Sequence, residues 1–508
     1  MRSHRRNFLM SGGLATLGVS LLRANGSASL SGTGKRPKNI VYMVSDGMSA
    51  GAIALAEIAS QADRRRPTNW ATLLRDPSVA RGMFDQASLS SSVTDSAAAS
   101  SSWGSGSRVR NGAINTLPDG TALVPLAKLA KEKGLGVGLV TTTSIWDATP
   151  AGFASSVPKR SQYEDIVKQY LNRVDVLMGG GRDAFLAEKR ADKQDLVAAY
   201  RDSGYRIANT KQETGVVKPG DRLLALYGSG SLPYTIDHVR NQADAIQIPA
   251  LAEMASAALT ALSTQPKGFL LQIEGARIDH TAHANDAAAL IQEQLAFDEA
   301  LGVALRFAQQ RGDTLVVICT DHGNANPGLN SMGGASGSSD QCLARAMKAT
   351  ASFTEIAKRL GNRADYTMDA AKASDARAVA ERLVTNTFKE THGIDLSPAH
   401  ARAIASAAAG EKGISLNAQQ DTLVGVTGQV LANYLGIGFV GTSHTADYAT
   451  STAFGPGSEH FEGLLRNTDV FQKLTMLMDT PYHNASADER MSARSTRVAD
   501  TEPRQWAV

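Results

Sequence analysis

Cysteine is nearly absent from this chain. Its 508 residues include only two, Cys319 and Cys342. A disulfide framework therefore cannot hold the fold together, and a packed core or bound metals must do so. Cys319 lies in a very apolar, strand-like run, which favours a buried thiol over the alternative, a bridge to Cys342.

Long apolar runs and an excess of one charge are also missing. After the first thirty residues no segment approaches about twenty uninterrupted apolar residues, so we expect a soluble mature protein with no membrane association. The 52 basic and 49 acidic residues nearly balance, and aromatic residues make up 6% of the chain. Neither property gives a reason to propose a nucleic acid or an anionic membrane as a partner.

The first thirty residues, 1–30, follow the pattern of a secretory signal. Arg2, Arg5 and Arg6 precede a weakly apolar stretch at 8–22, and small residues follow at 24–29. The sequence Arg-Arg-Asn-Phe-Leu from Arg5 is typical of a twin-arginine signal. A membrane anchor is the alternative, but the apolar run is short for a span. We therefore expect an exported protein, periplasmic or secreted.

Short aliphatic runs alternate with helical patterns along the chain. The runs have the near-continuous apolarity of strands covered on both faces, and they lie at 39–44, 136–141, 174–178, 269–273 and 314–319. Helical patterns lie between them at 123–133, 249–262 and 287–309. This alternation predicts an α/β fold with a mostly parallel central sheet and helices on both faces, whose site lies beyond the carboxyl ends of the strands.

Composition changes divide the chain further. A loop rich in Gly, Ser and Asn at 324–340 leads into an Ala-rich, helical stretch, which indicates an insertion. We predict a core at 37–334, a largely helical insertion or cap at 335–438 within the same domain, and completion of the core at 439–482. The polar, charged end at 483–508 is predicted to be a disordered tail.

Polar clusters follow several of the apolar runs. They combine acids, histidines and hydroxyls, and they are Asp46-Gly47-Met48, Thr94-Asp95-Ser96-Ala97, Asp147-Ala148-Thr149-Pro150 with the later Arg160, Glu274 to His283, Asp321-His322-Gly323 and a late His444-Thr445. Each has a simple structural explanation, such as a helix cap, a turn or an exposed ion pair. Together, acids and histidines beyond several separate strands indicate one active site.

The residue types suggest metal chemistry. Asp279 and His283 lie one helical turn apart, so both can hold a single ion. Imidazole with carboxylate suits zinc, and carboxylates with a hydroxyl suit magnesium. Ser96 is a candidate nucleophile, and without a Gly-x-Ser-x-Gly elbow it would be activated by a metal. On local sequence alone, a helix N-cap is the simpler role for Ser96.

Taken in order, these motifs resemble those of the alkaline phosphatase family, the metal-dependent type with an Asp-Ser-Ala nucleophile. The likeness runs from about 39 to 473, apart from much of 335–438. It implies an alkaline-phosphatase-like three-layer sandwich and a phosphate-monoester hydrolase that acts through a phosphoserine intermediate on Ser96. The family is commonly dimeric, which implies a homodimer, although the sequence itself does not give the oligomeric state.

The resemblance also implies two zinc ions and one magnesium ion. Their ligands, carried over position by position, are Asp279, His283 and His444 for one zinc, Asp46, Asp321 and His322 for the other, and Asp46, Thr149 and Glu274 for magnesium. Arg160 would bind two phosphate oxygens, and Asp95 would orient it. Asp147 and His280 would tune the third metal and the bound phosphate.

Two rival functions differ in class. A phosphodiesterase, phosphonate monoester hydrolase or sulfatase can share the fold. However, the sulfatase Cys/Ser-x-Pro-x-Arg sequence is absent, and a two-oxygen grip by Arg160 favours monoesters. The other rival is a non-catalytic metal- or phosphate-binding surface protein, against which an intact Ser96 argues. The physiological substrate is not given by the sequence.

Overall fold

The apolar runs form the centre of a ten-stranded sheet in the computed structural model, which describes residues 36–332, 337–361, 373–411 and 417–487. The strands are β1 (Asn39–Ser45), β2 (Ala80–Asp85), β3 (Gly136–Ser144), β4 (Val176–Gly180), β5 (Arg206–Ala208), β6 (Leu223–Leu226), β7 (Phe269–Gly275), β8 (Thr314–Cys319), β9 (Gly323–Asn324), β10 (Gly328–Leu329), β11 (Ile437–Gly438), β12 (His444–Thr445), β13 (Ala449–Phe454) and β14 (Gly463–Arg466).

The α-helices of the described residues surround this sheet. They are α1 (Ala50–Ala59), α2 (Asn69–Arg75), α3 (Ser96–Ser105), α4 (Leu126–Lys133), α5 (Ala148–Ala154), α6 (Tyr163–Tyr170), α7 (Leu196–Asp202), α8 (Lys211–Thr214), α9 (Thr235–His238), α10 (Gln242–Gln247), α11 (Leu251–Leu262), α12 (Arg277–His283), α13 (Ala287–Arg311), α14 (Gly337–Met347), α15 (Phe353–Leu360), α16 (Ala373–His392), α17 (Pro398–Ala408), α18 (Leu423–Leu435) and α19 (Asn467–Leu477).

The predicted mostly parallel sheet is confirmed. Its strand order is β14-β2-β13-β8-β1-β7-β3-β4-β6-β5. Within the described sheet, β13 alone opposes its neighbours, β2 and β8. The five predicted strands are β1, β3, β4, β7 and β8, and all five are adjacent, in the order β8-β1-β7-β3-β4. Because the central four, β8-β1-β7-β3, are parallel, their carboxyl ends meet at one edge of the sheet.

Alternate residues of the central strands enter two different cores, which makes the fold a three-layer sandwich. On β1, Ile40, Tyr42 and Val44 belong to one hydrophobic cluster, and Val41 and Met43 belong to another. Helices α3 to α6 and α19 contribute to the first cluster, and α2, α11 and α13 contribute to the second. Coverage of both faces is why these strands have no polar alternation.

The predicted insertion is largely helical where it is described. Helices α14 to α18 form a third hydrophobic cluster, which also includes Leu55 of α1 and Ile291 of α13. The insertion therefore packs on helices of the core. Residues 335–336, 362–372 and 412–416 of the predicted insertion lie outside the described residues, and the domain boundaries themselves stay predictions.

Short strands and the start of a helix lie within the predicted loop at 324–340. The predicted loop at 324–340 contains β9 and β10, which pair with β12 and β11 from more than a hundred residues away, and α14 begins within it at Gly337. Such distant partners leave no local signal. Both cysteines are buried and free, as the favoured interpretation predicted, with Cys319 Sγ 3.1 Å from the hydroxyl of Tyr42.

The two ends of the chain are described only in part. The predicted signal, 1–30, and residues 488–508 of the predicted tail lie outside the described residues. The described part of that tail, 483–487, packs against the core, where Asn484 is 7% exposed. Its amide donates to the carbonyls of Ser105 and Val124 and accepts from Val124 N.

One helical stretch of the described residues, Gln242–Leu262, is long and apolar enough to cross a membrane by length and composition alone. It comprises α10 and α11, and α11 buries Met254, Ala255 and Ala258 in the core. The core helix of a soluble protein passes the same test, so this stretch is weak evidence of a membrane segment.

Candidate metal centre and nucleophile

The shared edge of the four central strands brings the predicted acids together. Asp46 follows β1 directly, Glu274 is the partner of Val44 in the β1–β7 register, and Asp321 lies two residues beyond the end of β8. Each of the three is at most 6% exposed. Parallel pairing therefore brings three buried negative charges together at one edge of the sheet.

Gly47 allows the turn after β1 to reach this site. Its φ is +67°, and a Cβ at this position would lie 2.3 Å from Asp279 Oδ1. Its backbone N–H donates to Asp321 Oδ1 at 3.0 Å. Only glycine fits both the left-handed backbone conformation at this position and the close approach of Asp279 and Asp321 to it.

Asp279, His283 and His444 form the first candidate metal cluster, with ligand atoms within 4.8 Å of one another. His283 Nδ1 lies 2.7 Å from the carbonyl of Thr442, and His444 Nδ1 lies 2.9 Å from the carbonyl of Thr94. A carbonyl only accepts, so each Nδ1 carries the proton. In the neutral rings both Nε2 atoms are then acceptors, and they face each other at 3.0 Å.

Two facing lone pairs cannot hydrogen-bond to each other, and a cation between them removes the conflict. Asp279 provides the matching negative charge, with its Oδ2 3.3 Å from His283 Nε2. Burial alone would lower the pKa of His283, but the bond and charge of Asp279 raise it. The donor set of two imidazoles and one carboxylate fits a zinc ion.

Asp46, Asp321 and His322 form the second candidate metal cluster. Asp46 Oδ1 and Asp321 Oδ2 are buried without a hydrogen bond of acceptable geometry, although His322 Nε2 lies 3.0 Å from Asp321 Oδ2. Burial, followed by the charges of Asp321, Asp279 and Glu274, raises the pKa of Asp46 well above its usual value. Buried, repelling carboxylates with free oxygens are suited to binding a cation.

The two clusters adjoin each other, because the rings of His322 and His444 stack with centroids 3.6 Å apart. The predicted third set lies on the other side of Asp46. Thr149 Oγ1 is 3.5 Å from Asp46 Oδ2, and Glu274 accepts a 2.6 Å hydrogen bond from Thr141 Oγ1. Burial and nearby acids raise the pKa of Glu274 to about 8.

Ser96 is the first residue of α3, as the sequence predicted, but it is not the cap of that helix. The N-cap is Asp95, whose carboxylate accepts from Ala98 N at 2.9 Å. The simpler role considered for Ser96 is therefore wrong. Its hydroxyl lies 3.2 Å from His322 Nε2, beside the second cluster, and the N-terminal amides of α3 face the same region.

Close helix packing sets the position of Ser96. Helices α3 and α5 approach so closely that a Cβ on Gly104 would lie 2.0 Å from the carbonyl of Gly152. The side chain of Ser100 donates to the carbonyl of Ala148 at 2.9 Å. The N-terminus of α3 is thereby held beside that of α5, which carries Thr149.

Arg160 lies between the two acids predicted to accompany it. Its Nη2 donates to Asp147 Oδ1 at 2.7 Å, and its Nη1 lies 3.5 Å from Asp95 Oδ2. Burial alone would lower the pKa of Arg160, but Asp147 and Asp95 raise it. The guanidinium stays 37% exposed, so a charged fork is available to an anionic ligand.

The sequence motifs assign no role to three further residues at this site. Asn324 Nδ2 donates to Asp279 Oδ1 at 2.7 Å, and Arg277 Nη1 lies 2.7 Å from His280 Nδ1. Thr141 holds Glu274 as described. Asn324 directly follows the Asp-His-Gly motif, which was a usable signal. Thr141 lies in a strand without a motif, and Arg277 lies within the cluster Glu274 to His283 at a position to which the resemblance assigns no role.

Comparison with known proteins identifies what this arrangement is similar to. Residues 37–480 match the family model described as alkaline phosphatase. Alkaline phosphatase 3 of Bacillus subtilis is 28% identical over 451 residues, which are 85% of this chain and 87% of that protein. Alkaline phosphatase of Escherichia coli is 29% identical over 343 residues, 58% of this chain and 71% of that protein. The crystal structure of Thermus thermophilus alkaline phosphatase matches with a TM-score of 0.81 and 31% identity, covering 91% of this chain and 96% of that one.

Proposed function

The chain belongs to the alkaline phosphatase family and is a phosphatase, and from this premise we propose that it hydrolyses phosphate monoesters through a phosphoserine on Ser96. The observation that carries the proposal is the position of the Ser96 hydroxyl, 3.2 Å from His322 Nε2 at the start of a fully buried helix. A capping role does not account for that position, because Asp95 provides the cap.

The proposal includes two zinc ions and one magnesium ion. The residues that would hold them are Asp279, His283 and His444, then Asp46, Asp321 and His322, and for magnesium Asp46, Thr149 and Glu274. When bound, such ions supply Lewis acidity, which favours the serine alkoxide and stabilises charge on the attacking and leaving oxygens. Orphaned carboxylate oxygens and facing imidazole nitrogens support this fit.

The reaction has two steps, in which Ser96 is the nucleophile and Arg160 binds the phosphoryl group. Ser96 Oγ attacks phosphorus, the bond from phosphorus to the ester oxygen breaks, and the alcohol leaves with that electron pair and gains a proton. Water then attacks phosphorus, the bond from phosphorus to Ser96 Oγ breaks, Ser96 Oγ takes up a proton, and inorganic phosphate is released. Arg160 binds two non-bridging oxygens of the phosphoryl group, oriented by Asp95 and Asp147. His280 and Asp147 would tune the magnesium region and the bound phosphate.

Export and assembly complete the proposal. The sequence of 1–30 supports a twin-arginine signal and therefore a periplasmic or secreted enzyme. A homodimer is proposed from the family resemblance. Phosphate monoesters are the proposed substrate class, and because recognition centres on the phosphoryl group, many leaving groups would be accepted.

Replacing the nucleophile tests the mechanism. Ser96→Ala should keep the fold and metal content but lose turnover of an aryl phosphate by more than about a thousandfold. Ser91→Ala, in the loop before α3, is the control and should keep wild-type turnover. Brief reaction with labelled phosphate at mildly acid pH should mark wild-type Ser96. Near-normal rates in Ser96→Ala would refute the covalent route.

The diesterase alternative predicts a different response at Arg160. A diester lacks the two free oxygens that the fork would bind. Arg160→Ala should therefore reduce monoester turnover and phosphate inhibition more than diester turnover, and Arg160→Lys should recover only part of the loss. Equal losses on both substrates would count against Arg160 as the phosphate clamp.

Phosphate release tests the second rival function. Sustained phosphate release over many turnovers separates an enzyme from a non-catalytic binder.

A further inference from the structure

A cleft of about 550 Å³ lies between the core and the helical insertion. Its walls come from the loop 231–234, from α9 and the turn after it, from the first residue of α12, and from α15. None of the lining residues is a proposed metal ligand or a proposed phosphate-binding group. The mechanism above therefore gives the cleft no role.

The cleft shares a wall with the candidate active site. Arg277 lines it and also contacts His280, with 2.7 Å between Nη1 and Nδ1. Ser231 lines it as well, and its hydroxyl lies 2.9 Å from Thr143 Oγ1, which donates to Asp147 Oδ2 at 3.2 Å. A molecule in the cleft is thus separated from His280 by the side chain of Arg277, and from Asp147 by the side chains of Ser231 and Thr143.

Positive charge in the cleft is only partly compensated. Arg240, Arg277, Lys358 and Arg359 line it, and Lys358 is paired with Glu355. Among the described residues, the three arginines have no carboxylate partner within 4.0 Å. The guanidinium of Arg277 instead lies 3.6 Å from the centre of the Tyr234 ring, a contact that leaves its charge in place.

The acids of the cleft are already engaged. Asp237 accepts from Ser352 N at 2.8 Å, and Asp244 accepts from the Asn241 amide at 2.8 Å. With Glu355 bound to Lys358, each lining acid has a hydrogen-bonding partner within the protein. These hydrogen bonds do not remove the charge of the carboxylates, but four basic side chains line the cleft against three acidic ones. The arginines, which have no carboxylate partner among the described residues, are therefore the groups placed to bind an anion, and planar guanidinium forks match the oxygens of a phosphoryl group.

We propose that this cleft is a second phosphoryl-binding site, which takes a phosphoryl group that is not being hydrolysed. Its source is either the distal phosphate of a substrate that carries two phosphates or free inorganic phosphate. In the first case Arg240, Arg277 and Arg359 select bisphosphorylated substrates. The inference rests on the proposed function, because it extends the substrate class of the same site.

Matched substrates test the cleft. In the zinc- and magnesium-loaded enzyme, kcat/KM is measured for a hexose 1,6-bisphosphate and for the corresponding hexose 6-phosphate. The ratio of the two values should fall about tenfold in Arg240→Ala and further in Arg240→Glu, mainly through KM of the bisphosphate. Arg240→Lys should recover part of the ratio. Arg201→Glu, at an exposed arginine on α7 away from the cleft, should keep the wild-type ratio.

Inhibition by inorganic phosphate distinguishes the two possible sources of the phosphoryl group in the cleft. If the cleft takes free phosphate, inhibition of hexose 6-phosphate hydrolysis has a non-competitive component in wild type that Arg240→Glu removes, while the substrate ratio stays constant. If both the ratio and the inhibition pattern of Arg240→Glu equal those of wild type and Arg201→Glu, the cleft proposal is overturned. That result leaves an active phosphatase, whereas failure of the wild-type enzyme on hexose 6-phosphate would refute the proposed function instead.

Discussion

Single side chains at this site are held by partners that contact no substrate. The clearest case is Asn324, which is fully buried and donates to the Oδ1 atom and the carbonyl of Asp279. Its own backbone N–H donates to Ser49 Oγ at 3.0 Å. The side-chain amide of Asn324 therefore orients the carboxylate of Asp279, which lies beside the imidazoles of His283 and His444.

Asn324→Ala should weaken metal binding at the Asp279 cluster by about 10- to 100-fold, because a carboxylate without its outer partner is less well oriented. Zinc affinity measured by competition with a chelator checks this. Asn330→Ala is the control, since Asn330 is exposed in the same loop and its side-chain amide donates to the Gly328 carbonyl rather than to a candidate metal ligand. Unchanged zinc affinity in Asn324→Ala would show that Asp279 needs no such support.

At the scale of elements, α3 depends on a segment from the far end of the chain. All ten of its residues are buried, and its serines donate to carbonyls of the preceding turn, as Ser101 does to Ala97 and Ser105 to Ser101. Its C-terminal carbonyl at Ser105 accepts from Asn484. The helix that presents Ser96 is thus anchored at both ends.

Asn484→Ala should destabilise the protein by about 1–3 kcal/mol, because it leaves Val124 N and the carbonyls of Ser105 and Val124 without their buried partner. Chemical denaturation gives the free energy of unfolding. Asn433→Ala, at an exposed asparagine on α18 that bonds only within its own helix, should change it by less than about 0.5 kcal/mol. Similar losses in both variants would contradict the anchoring role.

The insertion carries its own pH-sensitive element. His392 is 1% exposed among aromatic rings, with Phe388 at 5.4 Å and Phe353 at 6.3 Å between centroids. Burial lowers the pKa of His392 to about 4, from an ordinary value of 6.5. Between these two pH values the unfolded chain binds more protons than the folded one, so stability falls as pH drops.

His392→Phe should remove that dependence. Going from pH 7.5 to pH 5, the metal-free wild type should lose about 2 kcal/mol more stability than the variant. Denaturant unfolding of metal-free protein at both pH values makes the comparison without interference from metal loss. Equal pH slopes in the two proteins would mean that His392 titrates normally in the folded state.

At the scale of the whole molecule, the strand ends gather more negative charge than the protein can neutralise alone. Asp46, Glu274, Asp279 and Asp321 are all at most 6% exposed. Without a cation, the raised pKa of Glu274, about 8 against an ordinary 4.5, makes the folded state bind the extra proton. The free energy of unfolding of the metal-free protein should then fall as pH rises from about 4.5 to about 8.

Bound metal should reverse that trend, because ligation favours ionised carboxylates and neutral imidazoles. Chelation should abolish activity and lower Tm, zinc should restore both, and magnesium should add a further increment. The Tm difference between metal-loaded and metal-free protein should be larger at pH 8 than at pH 5, and activity should rise into the alkaline range. A Tm difference that is equal at both pH values would show that these acids do not bind the metals.

The sequence by itself determined the layered fold and the edge of the sheet at which the polar motifs gather. Continuous apolar runs such as 39–44 and 314–319 reveal strands covered on both faces, because no solvent face requires polar residues. Polar motifs immediately after those runs lie at one edge of the sheet, because parallel strands end together. Strand ends therefore predicted that Asp46 and Asp321 lie together, whereas Ser96 was placed with them through the resemblance of the motif order to the alkaline phosphatase family.

Only the tertiary structure decided which hydrogen-bonding and packing partners surround those residues. The pairing of β9 with β12, which brings His444 to His322, joins segments 120 residues apart in the register His444↔Asn324. Asp95 rather than Ser96 caps α3, Asn484 binds α3 from the far end of the chain, and Arg277 packs over the ring of Tyr234. Hydrogen bonds and clefts of this kind depend on distances between separate elements, and local propensity and periodicity contain no information about those distances.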